Sequence, residues 1–497
     1  MNKRIIISIA VMIIVILAVI AAGTRKSPNV TTLSQEAYEL YLQGVDNNQN
    51  YYHNDAIELL EKAVELDNEF AMAYLELYHS YRAEGNYLKS RQMIEKAALF
   101  KEYVSEREGL IIEINRNMGG EYNQSVADSL IEILYQKYPD TVEPHLYKAR
   151  SAAREGDFEA SITEYELVRK INKDYAEVYN ILGYMYAELR RYDEAIENLK
   201  DYAKKAPGKA NPFDSLGEIL IRVGRYEEAI SNLNRALEIK PELNETNNFL
   251  GSAIHKNLGN AYLGRGQVTK AVHHYKRAQD LNPGENIMIE AVTNRYMALL
   301  LTERHDEFNS YTEGLNILAS KEMTKPIKHL IKGIYYTITK DIDSALDESA
   351  EMNELIIELA AENPNARVRL VSIQGMLEAE VMLSMGKYSE AVDIYLTKCF
   401  NTDMANHSVW LNWRFAEAYR LNEDYENSEK IIENVLGINP NNFILRSVLV
   451  QALFDRGEYK KAKAELRKFN ELIRDADDDI RIIAKMNEIA EALEVLL

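Results

Sequence analysis

Apolar residues recur three and four positions apart through most of the chain, the spacing that lines one face of an α-helix. Ala176 to Pro207 reads AEVYNILGYMYAELRRYDEAIENLKDYAKKAP, and Ala210 to Pro241 reads ANPFDSLGEILIRVGRYEEAISNLNRALEIKP. Each stretch predicts two amphipathic helices joined by a tight turn, with Arg190 or Gly224 at the turn and a proline stopping the second helix. The two prolines lie 34 residues apart, and matched positions carry the same kind of residue: Tyr179 and Phe213, Leu182 and Leu216, Gly183 and Gly217, Ala195 and Ala229, Leu199 and Leu233. Glycine on the first helix lets the second approach closely, and alanine fills the crossing point. A lone hairpin leaves an apolar face open, so neighbouring hairpins must stack.

These residues resemble the tetratricopeptide repeat, whose pattern is an aromatic, Leu-Gly, a second aromatic, a small Ala and a closing Pro over 34 residues. The resemblance implies an all-α solenoid, a right-handed superhelix of helical hairpins. Weaker copies extend both ways, through Tyr74, Leu77 and Tyr81 upstream and through Gly386-Tyr388-Ala391 and Leu449-Leu453-Gly457 downstream. The expected organisation is a membrane anchor or signal sequence over 1–25 and a linker over 26–33. An N-terminal repeat array follows over 34–285, a degenerate hairpin or joint over 286–325, a C-terminal array over 326–476 and a capping helix over 477–497. SQEAYELYLQG at Ser34 to Gly44 and YVSEREGLIIE at Tyr103 to Glu113 look like the arrays that follow bacterial serine/threonine kinase or winged-helix regulatory domains. In those relatives the repeats sense or dock beside an effector domain, and no kinase motif is found outside the repeats here.

One segment departs from the amphipathic pattern. Ile5 to Ala22 is an apolar run broken only by Ser8, and at about 1.5 Å per residue it is just long enough to cross a bilayer as a transmembrane helix. Lys3 and Arg4 before it, and Ala21-Ala22-Gly23 at its end, also fit a cleaved secretory signal. The expectation is a single-pass bacterial inner-membrane protein with its body in the periplasm, bound to the membrane through that helix.

Composition narrows the chemistry. With 58 basic against 78 acidic residues the chain carries a formal charge of −20, which repels phosphate backbones and argues against nucleic acid as a partner. Cys399 is the only cysteine, read as a buried apolar filler. No metalloprotease, nucleophile-elbow or phosphate-loop motif occurs. His273 and His274 are adjacent, about 100° apart on a helix, and are read as a solvated face. Asp475, Asp477, Asp478 and Asp479 lack the glycine and glutamate of a calcium loop and are read as charging the start of the last helix. No catalytic residue, cofactor or metal is expected. The first helices of such repeats line a concave groove, which places Leu75, His79, Arg150, Asn180, Tyr184, Asp214, Glu218, Lys256, Asn260, Trp410, Trp413 and Glu417 on a surface for a protein or peptide partner. Trp410 and Trp413 share a helix face, suited to anchoring a peptide unless Trp413 turns into the core. The function expected is a non-enzymatic, membrane-anchored scaffold for protein–protein contacts in an envelope or assembly complex. The alternative is a sensory or regulatory receptor subunit that passes peptide or protein binding to a separate signalling partner. Oligomeric state is not fixed by the sequence.

Overall fold

The computed structural model describes residues 30–119, 123–245, 249–281, 285–399 and 409–496. They divide into two compact units, unit 1 up to Tyr175 and unit 2 from Ala176 onward. Unit 1 holds α1 (Gln35–Gln49), α2 (His53–Leu66), α3 (Ala71–Ala83), α4 (Tyr87–Leu99), α5 (Glu106–Gly119), α6 (Gln124–Lys137), α7 (Val142–Arg154) and α8 (Phe158–Ile171). Unit 2 continues with α9 (Glu177–Glu188), α10 (Tyr192–Lys205), α11 (Asn211–Arg222), α12 (Tyr226–Ile239), α13 (Phe249–Gly264), α14 (Val268–Asp280) and α15 (Glu285–Leu299). Then come the short α16 (His305–Ser310) and α17 (Thr312–Ala319), followed by α18 (Lys325–Ile338), α19 (Ile342–Glu362), α20 (Arg367–Ser384) and α21 (Tyr388–Ile394). The unit ends with α22 (Val409–Leu421), α23 (Tyr425–Ile438), α24 (Phe443–Asp455), α25 (Tyr459–Leu472) and α26 (Arg481–Leu496). Both units are helical-hairpin arrays, and the one β contact among the described residues is an isolated antiparallel bridge between Thr302 and Ile480.

The hairpin follows from its small residues. A Cβ added at Gly183 would sit 2.6 Å from Leu199 Cγ, and one at Gly217 would sit 2.7 Å from Leu233 Cγ, so in each hairpin the two helices meet where only hydrogen fits. The turns are left-handed, at Gly224 (φ 76°) and equally at Arg190 (φ 57°) and Lys340 (φ 63°). Side-chain caps start several helices: Ser34 on Ala37, Asp157 on Ala160, Asp341 on Ser344 and Asn442 on Leu445.

A polar tie recurs beside this apolar contact. Residues 19 apart pair across one hairpin as His145–Glu164 (2.7 Å), His329–Glu348 (2.7 Å) and Arg446–Glu465. In the α13–α14 hairpin the same spacing puts two imidazoles together, His255 Nδ1 lying 3.0 Å from His274 Nδ1 while Asn244 holds His255 Nε2 at 2.9 Å. His274 is therefore half-buried against His255 and Tyr262, while His273 alone is exposed.

Unit 2 curves far enough for distant repeats to meet. Asn439 Nδ2 donates to Tyr226 Oη (2.8 Å), Asn441 Nδ2 donates to Gly224 O (3.0 Å), and Arg190 donates to Asn434 Oδ1 (3.1 Å). A second join uses the acidic run before α26. Asp475 pairs with Arg265 (2.8 Å), Asp477 accepts from the Thr269 amide and hydroxyl (both 2.7 Å), and Arg304 forks onto Asp477 and Asp479 (2.8 and 2.5 Å). These aspartates thus close the array on itself, which corrects the reading of them as charging the last helix. Gly224 and Gly266 sit at the joins, and a Cβ on Gly266 would meet Ala476 Cβ at 2.7 Å. Cys399 is buried in the core, its thiol pushed up to about 12 by loss of solvent.

The expected transmembrane helix and single-pass inner-membrane location are corrected: among the described residues no helix is long and apolar enough to cross a membrane. The run from Ile5 to Ala22 on which that expectation rested lies outside the described residues. Of the expected linker, Val30 to Leu33 is described. There the Thr31 amide and hydroxyl bind Glu108 (both 2.7 Å), and the Leu33 amide binds Asp67 (2.8 Å), fixing the entry to α1.

Gly217→Ala should cost about 1–3 kcal/mol by wedging the α11–α12 contact, whereas Lys340→Gly, at an exposed left-handed turn, should gain about 0.5–1 kcal/mol. Urea unfolding midpoints moving down and up respectively would bear this out.

Candidate binding site

The 34-residue period puts equivalent positions of successive first helices side by side, and in unit 2 polar pairs run along that row. Tyr184 Oη donates to Glu218 Oε2 (3.0 Å), Lys256 pairs with Glu290 (2.9 Å), and Asn294 Nδ2 donates to Asn260 Oδ1 (3.2 Å). Further along, Arg414 forks onto Glu380 (2.7 and 2.9 Å). Where the period is lengthened, Asp214 and Asn257 meet instead, at 3.0 Å. Tyr184, Asp214, Glu218, Lys256 and Asn260, all expected on the groove, therefore lie along one hydrogen-bonded row.

Not all of them are open to a partner. Asn180 is 4% exposed and Asp214 7%, because the close approach of α9, α11 and α13 encloses side chains that a helical wheel points toward a groove. Burial and the neighbouring Glu218 charge raise the Asp214 carboxyl to about 7, against the pull of Asn257 and Lys256. In unit 1 Leu75 is 2% exposed and belongs to the core with Leu77 and Tyr78, which corrects its placement on a binding surface. His79 is half-buried, its imidazole held down to about 3 by desolvation and by Arg150 and Arg82, while Arg150 itself is exposed.

The curvature of unit 2 encloses two cavities. The larger, about 680 Å³, is walled by Asn260, Asn294, Met297, Ile373, Met376 and Trp410 among others. The smaller, about 350 Å³, lies beside α22 and α26 and includes Glu380, Arg414, Glu417 and Arg481. Trp410, Trp413 and Leu301 line both. The two indoles meet edge to face at 4.9 Å, and Arg414 lies over the Trp413 ring at 5.2 Å. Both tryptophans are half-buried, so each is at once cavity wall and support for the packed core. Glu417 is held ionised by Arg420, which forks onto it at 2.7 and 2.8 Å.

Several lining residues were not foreseen. Asn294 could have been found by adding one period to Asn260, and Arg414 by adding one to Glu380. Met376 and Arg481 carry no such signal, because their place depends on how the array closes. A second group outside the cavities, His329, Glu348 and Glu351, is close enough for a metal ion, but Lys332 already pairs with Glu348 there.

The comparisons agree with this architecture. Tetratricopeptide-repeat models match residues 129–210, 210–283 and 411–442, and the chain carries tetratricopeptide repeats. No curated protein sequence matches the chain. A structure of Pseudomonas aeruginosa PilF aligns over 43% of this chain and 91% of that one, at 17% identity and a TM-score of 0.35. MamA 41-end from Desulfovibrio magneticus RS-1 aligns over 36% and 96%, at 19% identity and a TM-score of 0.30. A human IFIT1 dimer with m7Gppp-AAAA aligns over 82% and 91%, at 13% identity and a TM-score of 0.44. These are likenesses of fold.

Asp214 gives a pH test. Its carboxyl stays neutral in the fold up to about pH 7 while the unfolded chain ionises from about pH 4, so its burial costs nothing extra below about pH 4, and the destabilisation builds from there to its full size above about pH 7. Asp214→Asn, which keeps the acceptor for Asn257, should stabilise by about 2–4 kcal/mol at pH 8, with the gain shrinking toward pH 4. A gain independent of pH in urea titrations would contradict the ionisation argument.

Proposed function

We propose that the protein is a non-catalytic scaffold that holds an extended segment of a partner protein in the larger cavity of unit 2. Tetratricopeptide repeats imply a protein–protein interaction scaffold, and the cavity supports this finer reading. One observation carries it. Asn260 Oδ1 already accepts from Tyr275 Oη (2.8 Å) and from Asn294 Nδ2, so the two side chains keep an amide donor on Asn260 and a carbonyl acceptor on Asn294. A donor and an acceptor side by side complement the C=O and N–H of one peptide unit. Apolar side chains of the segment then rest on Ile373, Met376 and Trp410. The acidic row of Asp214 and Glu218 is already engaged by Asn257, Tyr184 and Arg222, which leaves it a structural part of the wall.

A photo-crosslinking residue at Met297, inside the cavity, should capture a discrete protein partner, whereas one at the exposed Glu433 should not. Asn294→Ala should weaken that capture about five- to tenfold, the effect of one lost hydrogen bond, with helicity unchanged. Equal capture from both positions, or no effect of Asn294→Ala, would remove the cavity from the reading. Asn294 is a cleaner test than either tryptophan, whose removal also takes contacts from the core.

A further inference from the structure

The structure assigns to the smaller cavity of unit 2 a second binding site, for a single carboxylate carried on an apolar body and held by Arg481. The inference does not depend on what occupies the larger cavity.

The cavity is bordered by five charged side chains: Glu380, Glu417, Arg414, Arg481 and Lys485. Four of them are matched. Arg414 forks onto Glu380, which also accepts from Tyr395 Oη at 2.8 Å. Arg420 forks onto Glu417, and Lys485 pairs with Glu488 at 2.9 Å. Arg481 pairs with no carboxylate among the described residues, and only its backbone is engaged, donating to Leu301 O at 3.1 Å. It is half-buried, and loss of solvent together with the Arg414 charge pushes its guanidinium down to about 10, with only Glu303 drawing it the other way. A cation partly withdrawn from water, near Arg414 and without a paired counter-charge of its own, is disfavoured in the empty protein. One added anion in the cavity removes that penalty.

The remaining lining selects the kind of anion. Ile334, Leu383, Trp410, Trp413, Leu421 and Ile482 form an apolar wall, so a bare, strongly hydrated phosphate is a poor match. A guanidinium fork pairs bidentately with a planar carboxylate, which an apolar body can carry into such a wall. The volume of about 350 Å³ is that of about a dozen waters at roughly 30 Å³ each, room for a branched aliphatic or small aryl acid. Such a group comes either from a free organic acid or from the carboxyl end of a peptide chain.

The chain contains two tryptophans, and both line the smaller and the larger cavity, so intrinsic fluorescence reports binding in either, and the Arg481 variants assign the signal to the smaller one. The full-length protein is titrated with 4-methylpentanoate, 4-methylpentanamide, N-acetylleucine and inorganic phosphate. The expected result is a saturable emission change with the two carboxylates, at least about tenfold weaker with the amide and with phosphate. Arg481→Gln should weaken the carboxylates at least about tenfold without lowering the urea midpoint, since it removes an unpaired charge, and Arg481→Lys should retain part of the affinity. Tighter binding of N-acetylleucine than of 4-methylpentanoate identifies a peptide terminus as the source, and the reverse order a free acid. No saturable change up to about 10 mM, an amide that binds as well as the acid, or phosphate that binds as well as either, overturns the assignment. Even if the Arg481 variants misfold, an amide that binds the unmodified protein as well as the acid overturns the assignment.

Discussion

The best-formed repeats depend on one steric constraint, the close contact between the two helices of a hairpin at a position where only glycine fits. At Gly183 and Gly217 an added methyl group would overlap the leucine of the opposite helix. That contact fixes the angle between helices, and the angle fixes which face remains apolar and must be covered by the next hairpin. Because the unit repeats every 34 residues, the same side-chain position recurs at the same place on the inner wall. The polar pairs Tyr184–Glu218, Lys256–Glu290, Asn260–Asn294 and Glu380–Arg414 are consequences of that periodicity.

What was legible in the sequence follows from the range of the interactions concerned. Hairpins, turn positions and stacking are local, so the left-handed turn at Arg190 and the glycine contacts could be read from spacing alone. Burial on the inner wall is set by three helices at once, and a single-helix count therefore misplaced Leu75 and left Asn180 and Asp214 looking accessible. The joins of unit 2 link residues more than 200 positions apart, such as Tyr226 with Asn439 and Arg265 with Asp475. Their existence depends on small rotations summed over many repeats, and no local pattern encodes that sum. The aspartates before α26 show the consequence: their charge was visible, but the arginines that receive it were not.

The His–carboxylate ties show how a repeat tolerates change at one site while keeping its geometry. His145–Glu164, His329–Glu348 and Arg446–Glu465 place a basic side chain opposite a carboxylate 19 residues away. At His255 and His274 the carboxylate is replaced by a second imidazole, and burial keeps both rings below their usual range, near 3 and 4. Two neutral rings still share one hydrogen bond, so the helix pair is held by the same distance with a different proton arrangement. The cost of charging them appears only below about pH 6.5, where the unfolded chain takes up protons that the fold refuses.

The two kinds of contact that build unit 2 differ in strength, and this bears on how its cavities work. Stacking within the array buries large apolar side chains such as Tyr275, Tyr296 and Phe415, each worth about 1.5–3 kcal/mol or more. The joins that close it add amide hydrogen bonds and ion pairs: Arg265–Asp475, with Asp475 59% exposed, contributes about 0–1 kcal/mol, and the partly buried fork of Arg304 onto Asp477 and Asp479 is the stronger of the two. The closure has an apolar part as well: fully buried Ile480 shares one core with Val268 and Ala271, and Leu263 and Leu301 pack into the core of Phe443 and Leu445. The cavity walls and the closure therefore share the packed apolar layer, and the polar joins fix the register in which distant repeats meet.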